Sequence, residues 1–93
     1  MRMKSIHNLA YQQLLALLRE KRTGLGVTQE ELARRLGVRQ GIISKIETHE
    51  RRIDLLELRA ICSALGISFV DFVRQIDDCL TNNEQTIGEN KGK

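Results

Sequence analysis

The sequence predicts an all-α domain of five helices, and three observations predict it. There is no proline among the 93 residues, while Leu, Ile, Glu, Arg and Gln are abundant, a composition that favours helix. Apolar residues recur at three- and four-residue steps, the spacing of one helix face. Thr28, Asp54 and Ser68 are each followed three positions later by an acid, Glu31, Glu57 and Asp71, the pattern of a capped helix start. The length holds one domain with a single modest core.

The first helix runs from about Asn8 to Thr23, with Tyr11, Leu14, Leu15 and Leu18 on one face. Residues 1–7 read as a flexible arm before it. Gly24 and Gly26 stop the helix, and Leu25 between them is expected to turn inward. The second helix opens at Thr28, faces Leu32, Ala33 and Leu36 inward, and ends at Gly37 in the left-handed conformation. The third spans Arg39 to Thr48. Arg39 occupies its cap position, so its start depends on packing or on a bound partner. The fourth opens at Asp54, carries Leu55, Leu58, Ile61, Cys62 and Leu65, and stops at Gly66. The fifth opens at Ser68 and runs to about Leu80. Residues 81–93 are polar and aperiodic and read as a disordered tail. The folded domain is therefore expected over 8–80.

Composition narrows the function. Aromatic residues make up only 3%, too few for the stacking platforms of single-strand or RNA readers. Net charge is +3, and its placement says more. Arg34, Arg35, Arg39, Lys45, Arg51 and Arg52 lie on and around the second and third helices against Glu47 and Glu50, whereas the balance reverses after Ser68. Positive charge is thus concentrated where phosphates would lie. Cys62 and Cys79 form no Cys-x-x-Cys, and both histidines lie far from them in sequence. They read as free thiols suited to a reducing cytoplasm, with no metal and no cofactor. Ile6 to Leu18 is broken by His7, Asn8, Gln12 and Gln13, so it is neither a signal peptide nor a membrane span. There is no phosphate loop, no nucleophile with a partner base and no apolar carboxylate cluster, which argues against an enzyme.

The frame Ala33–Gly37–Ile43–Ile46 is that of two short helices crossing at a small residue and joined by a glycine turn. On a helical wheel, Ile43 and Ile46 of the third helix face the core. Gln40, Gly41, Ser44, Lys45 and Thr48 face out, with Arg39 and Ile42 at the flanks. A short, polar, singly basic face suits base edges in a DNA major groove. Arg39, Gln40, Gly41, Ser44 and Lys45 are the expected base contacts. Thr28, Gln29, Thr48, Arg51 and Arg52 are the expected phosphate contacts, the first two through a helix N-terminus. Arg22 ends the apolar stripe of the first helix, and Glu47 edges the buried face of the third. An internal ion pair accounts for both.

These residues resemble the phage-repressor and Cro-type (XRE) helix-turn-helix family. The match runs from about Leu14 to Phe72, carried by Arg22, Val27 to Ala33, Leu36-Gly37-Val38, Gln40, Ile43 to Glu47, and Ala64 to Ser68. The resemblance implies a five-helix, lambda-repressor-like domain that regulates transcription as a homodimer on palindromic double-stranded DNA. It implies that Gln29 contacts phosphate, that Gln40 and its neighbours touch bases, and that Arg22 pairs with Glu47. A phage repressor, a restriction–modification controller and a host regulator all fit. An antitoxin or protein-binding adaptor reusing the fold is the alternative. The chain departs from the pattern at Arg39, where a small polar cap is usual, at His49, where a turn glycine is usual, and at Lys21, where leucine is common. One recognition helix covers too few base pairs to select a site, so two-fold pairing is expected. Phe69, Phe72, Val73, Ile76 and Leu80 form an apolar stripe on the fifth helix, with Val70 well off it. Val70, Ile76 and Leu80 are expected at the dimer axis.

Overall fold

The computed structural model describes the backbone of residues 3–90 and the side chains of residues 9–82. Five helices follow one another: α1 (Met3–Gly24), α2 (Gln29–Leu36), α3 (Gln40–Glu47), α4 (Leu55–Leu65) and α5 (Phe69–Asn90). None of the described residues is in a strand.

Local chemistry sets most of the boundaries. The α4 start is capped in both directions: Glu57 N donates to Asp54 Oδ1 at 2.7 Å and Asp54 N donates to Glu57 Oε1 at 3.1 Å. At α2 only the forward half forms, Glu31 N donating to Thr28 Oγ1 at 3.0 Å. The Glu31 carboxylate turns instead to Arg34 at 2.6 Å and Arg35 at 2.9 Å, because two charge-assisted bonds one turn away outweigh one neutral N–H. At α5, Asp71 N donates to Ser68 Oγ at 3.1 Å while the Asp71 carboxylate lies 3.4 Å from Arg74. Gly37 and Gly66 close α2 and α4 at φ of 72° and 76°, where a Cβ would be strained.

The main core gathers Leu18, Val27, Leu32, Ala33, Ile43, Leu58, Ile61, Cys62, Leu65 and Phe72. Ala33 sits at the α2–α3 crossing with 2% exposure, where its small side chain lets the helix axes approach. Cys62 is fully enclosed, and burial pushes its thiol pKa up, so it behaves as a small apolar residue. A second cluster joins Tyr11 and Leu15 of α1 to Ile46 of α3.

Four expectations are corrected. Leu25 is 52% exposed and Val27 fills the inward position instead. The glycine-flanked turn carries Leu25 across the surface, and Val27 N donates to Arg22 O. Leu55 is 65% exposed: it lies at the edge of the stripe formed by Leu58, Ile61, Cys62 and Leu65, but as the first residue of α4 it stands a turn before the buried part of that stripe. α1 begins at Met3, inside the segment expected to be an arm, and α5 continues to Asn90, through most of the expected tail. Nothing between Thr81 and Ile87 breaks a helix, since the first glycine is Gly88 and there is no proline. α1 and α5 also lie alongside each other in opposite directions: Gln13 and Leu17 face Cys79 and Asn82, and Lys21 faces Phe72 and Gln75. Residues 1, 2 and 91–93 of those two segments lie outside the described residues.

Candidate nucleic-acid interface

α3 presents one face to the core through Ile43 and Ile46, 2% and 3% exposed, and the opposite face to solvent. Gln40, Gly41, Lys45 and Thr48 are exposed on that outer face, Ser44 is half-buried, and Arg39 is exposed at its flank. Arg39 stands at the N-cap with extended backbone and makes no side-chain cap bond. No heavy atom lies within 4 Å of a Cβ built on Gly41, so the fold does not require glycine there.

α3 is braced along one side by a chain of side chains that runs from its last residue, Glu47, to its first, Gln40. Arg22 and Glu47 meet in a bidentate pair, Nε to Oε2 at 2.6 Å and Nη2 to Oε1 at 3.0 Å. The remaining Arg22 nitrogen donates to Val27 O at 2.7 Å. Burial alone would raise the Glu47 pKa, but hydrogen bonds from Arg22 and Gln29 outweigh it and hold the carboxyl below its ordinary value. Gln29 Nε2 donates to Glu47 Oε1 at 2.9 Å, and Gln29 Oε1 accepts from Gln40 Nε2 at 3.2 Å. Gln29 therefore spends its side chain inward, as a strut beneath Gln40. What it offers outward is the α2 N-terminus, beside the cap hydroxyl of Thr28.

The other end of α3 closes with a left-handed residue. His49 has φ 69°. Its N–H donates to Ile46 O at 3.2 Å and that of Glu50 to Lys45 O at 2.8 Å, the bond pattern usually built around glycine. Thr48 Oγ1 lies 2.9 Å from both Ser44 O and a Glu50 carboxylate oxygen, so its single proton serves one of them at a time. Arg51 pairs with Glu57 at 2.7 Å, and that guanidinium, followed by the Asp54 backbone N–H, lowers the Glu57 pKa. Arg52 lies over the Tyr11 ring at 4.7 Å. The structure thus strings Arg22, Glu47, Gln29 and Gln40 along one side of α3, from its last residue back to its first beside the Thr28 cap of α2, and places Thr48, Arg51 and Arg52 at and beyond its C-terminal end. Among the described residues no group of His, Cys, Asp and Glu could hold a metal ion, and no helix is long and apolar enough to cross a membrane.

Sequence reasoning missed two participants. The Gln29–Gln40 bond links positions on different helices with no periodic relation. Tyr11 was assigned to the core, yet its hydroxyl accepts from Ile53 N at 2.9 Å. The signal available was a lone tyrosine on an aliphatic face, whose hydroxyl needs a partner when buried.

Residues 18–72 match the family described as Helix-turn-helix. A solved structure, an XRE-family like protein from Pseudomonas syringae pv. tomato str. DC3000, is similar with a TM-score of 0.80 and 42% identity, covering 83% of this chain and 94% of that one. This chain belongs to the XRE family of helix-turn-helix regulators. An uncharacterized HTH-type transcriptional regulator from Methanothermobacter thermautotrophicus is 37% identical over 62 residues, 67% of this chain and 90% of that protein. The clp gene regulator ClgR from Corynebacterium glutamicum is similar in structure, with a TM-score of 0.68 and 27% identity, covering 88% of this chain and 87% of that one. In this XRE-family protein the matched region starts at Leu18 and ends at Phe72. It encloses α2, α3 and α4 whole, and with them both ends of the α3 face.

Proposed function

We propose that this protein regulates transcription as a homodimer that binds a palindromic duplex, each protomer laying α3 in the major groove. The observation that carries the reading is the exposed polar face of α3, with Gln40 braced through Gln29 to the buried Glu47. A pre-oriented amide suits an adenine edge, which offers one donor and one acceptor, and Lys45 suits guanine. Arg39, Gly41 and Ser44 complete the base-reading set. The α2 N-terminus at Thr28 and Gln29, with Thr48, Arg51 and Arg52, meets the flanking phosphates. Val70 is 60% exposed on α5 and Leu80 is half-buried. Ile76 packs partly against the core, and Val73, 40% exposed, adds to this apolar strip. These residues supply the two-fold contact.

Selection of bound duplexes from a random library tests the reading. A palindrome with half-sites about one turn apart, roughly 34 Å, is expected. Gln40→Ala and Lys45→Ala should each cost about 1–3 kcal/mol of specific binding and relax one position per half-site. An unchanged preference in both variants overturns the base assignment. Sedimentation that leaves Ile76→Glu and Leu80→Glu at the wild-type mass moves the interface off α5. A protein-binding role draws on a different observation: Leu55 and Leu56 of α4 are 65% and 74% exposed. A library with no enriched sequence favours that role.

A further inference from the structure

α1 meets the segment that follows α3 at Tyr11. Tyr11 is buried at 7% exposure, wedged beside Leu15 and Ile46, and three parts of residues 49–53 converge on it. Ile53 N–H donates to its hydroxyl at 2.9 Å. The Arg52 guanidinium carbon stands 4.7 Å from the ring centroid. The His49 ring lies against it with centroids 4.6 Å apart and planes at 50°. His49 is also the residue that turns the chain through the left-handed region after α3. The neighbouring Arg51 is held differently, by Glu57 of α4 at 2.7 Å. The two consecutive arginines after α3 thus make different contacts, Arg51 with the Glu57 carboxylate and Arg52 with the Tyr11 ring.

We propose that Tyr11 is a positioning residue for DNA-backbone binding: it fixes the course of residues 49–53 and so where Arg52 presents its charge beside α3. The inference rests on reading this segment as a phosphate contact. An aromatic face attracts the flat side of a guanidinium, whose N–H donors point along its edge. Stacking therefore orders the side chain with its N–H donors along the guanidinium edge, a geometry that suits phosphate oxygens. The hydroxyl satisfies a half-buried backbone N–H that has no helical or strand partner, which pins the chain one residue beyond Arg52. A ring set between α1 and α3 ties that pin to the recognition helix rather than to the loop alone.

A double-mutant cycle read on DNA tests this. The probe is a fluorescein-labelled duplex of arbitrary sequence, titrated with the full chain from about 50 to 200 mM salt. Affinity falls as about the inverse 0.9 power of salt for each phosphate neutralised, so one lost contact lowers binding about eight-fold at about 0.1 M. Arg52→Ala and Tyr11→Leu are each expected to lower binding by up to about that factor and the salt slope by about one. Tyr11→Leu is expected to add nothing when Arg52 is already alanine, yet to multiply with Arg51→Ala. Tyr11→Phe keeps the ring and removes only the hydroxyl, which guards against outright unfolding. It should speed hydrogen exchange at the Ile53 amide and give a smaller binding loss, again confined to the chain that retains Arg52. Losses that multiply with Arg52→Ala, or Tyr11 variants that bind like the wild type, overturn the inference. If Arg51→Ala and Arg52→Ala themselves leave binding and slope unchanged, the segment does not meet the backbone and the underlying reading fails with it.

Discussion

Two arginine–glutamate pairs meet near the C-terminal end of α3, and their lengths are nearly the same. Arg22–Glu47 closes at 2.6 Å and Arg51–Glu57 at 2.7 Å. Their surroundings differ. The side chains of the first pair are 8% and 4% exposed, those of the second 37% and 36%. Distance alone therefore says little about what a pair contributes. In the buried pair both ions have left water, and the cost is offset only because Glu47 accepts from Arg22 and Gln29 while the last Arg22 nitrogen reaches Val27 O. In the exposed pair solvent screens the attraction, and either partner rehydrates when the other is lost.

Breaking the buried pair should have the largest effect. Arg22→Ala or Glu47→Ala leaves one uncompensated charge and is expected to cost about 3–5 kcal/mol, much of the stability of a domain this size. Thermal melts within a degree or two of wild type would erase the contrast between the pairs. Acid should reveal the same asymmetry. The Glu47 carboxyl lies below its ordinary value in the folded state, so the stability it contributes is fully present above about pH 4.3, the unfolded value. That contribution is lost as pH falls through the lowered folded value. Urea unfolding as a function of pH should show this acid loss in the wild type and in Glu57→Gln, and a flattened limb in Glu47→Gln. The opposite pattern would place the dominant carboxylate at the exposed pair.

Glu57 serves both the exposed pair and the α4 capping box, and two variants separate those roles. Asp54→Ala removes the cap and leaves the pair, with an expected cost of about 1 kcal/mol. Arg51→Ala removes the pair and leaves the cap, and it should shift the urea midpoint least of all. A larger shift for Arg51→Ala than for Asp54→Ala would mean the pair is shielded more than its exposure indicates.

Helix starts and stops were legible in the sequence because caps act over three or four residues. Thr28, Asp54 and Ser68 each accept the expected backbone N–H, and Gly37 and Gly66 take the left-handed conformation. The faces of α3 followed from its period. The Glu31 carboxylate was diverted by Arg34 and Arg35, a competition that a two-residue motif does not contain. The extent of α5 was missed because polar residues were read as disorder, although none of them up to Ile87 is a glycine or proline. The least legible parts of the candidate site were tertiary. Gln29 joins Glu47 and Gln40 across two helices, and Tyr11 meets a backbone amide 42 positions away. No local propensity encodes such distances.

For anyone redesigning the DNA sequence that we propose α3 reads, the Gln29 strut makes positions 29 and 40 a single adjustable unit. A carboxylate only accepts hydrogen bonds, so Glu47 compels Gln29 to point its NH2 group down and its oxygen up. Whatever stands at position 40 then faces an acceptor 3.2 Å from the present amide nitrogen. Donor-bearing replacements such as arginine or lysine inherit a ready partner, whereas aspartate or glutamate would set oxygen against oxygen. A library that varies position 40 alone will be depleted of acids for reasons unconnected with DNA. Acidic side chains become accessible there only when residue 29 is changed in the same clone to one that presents a donor.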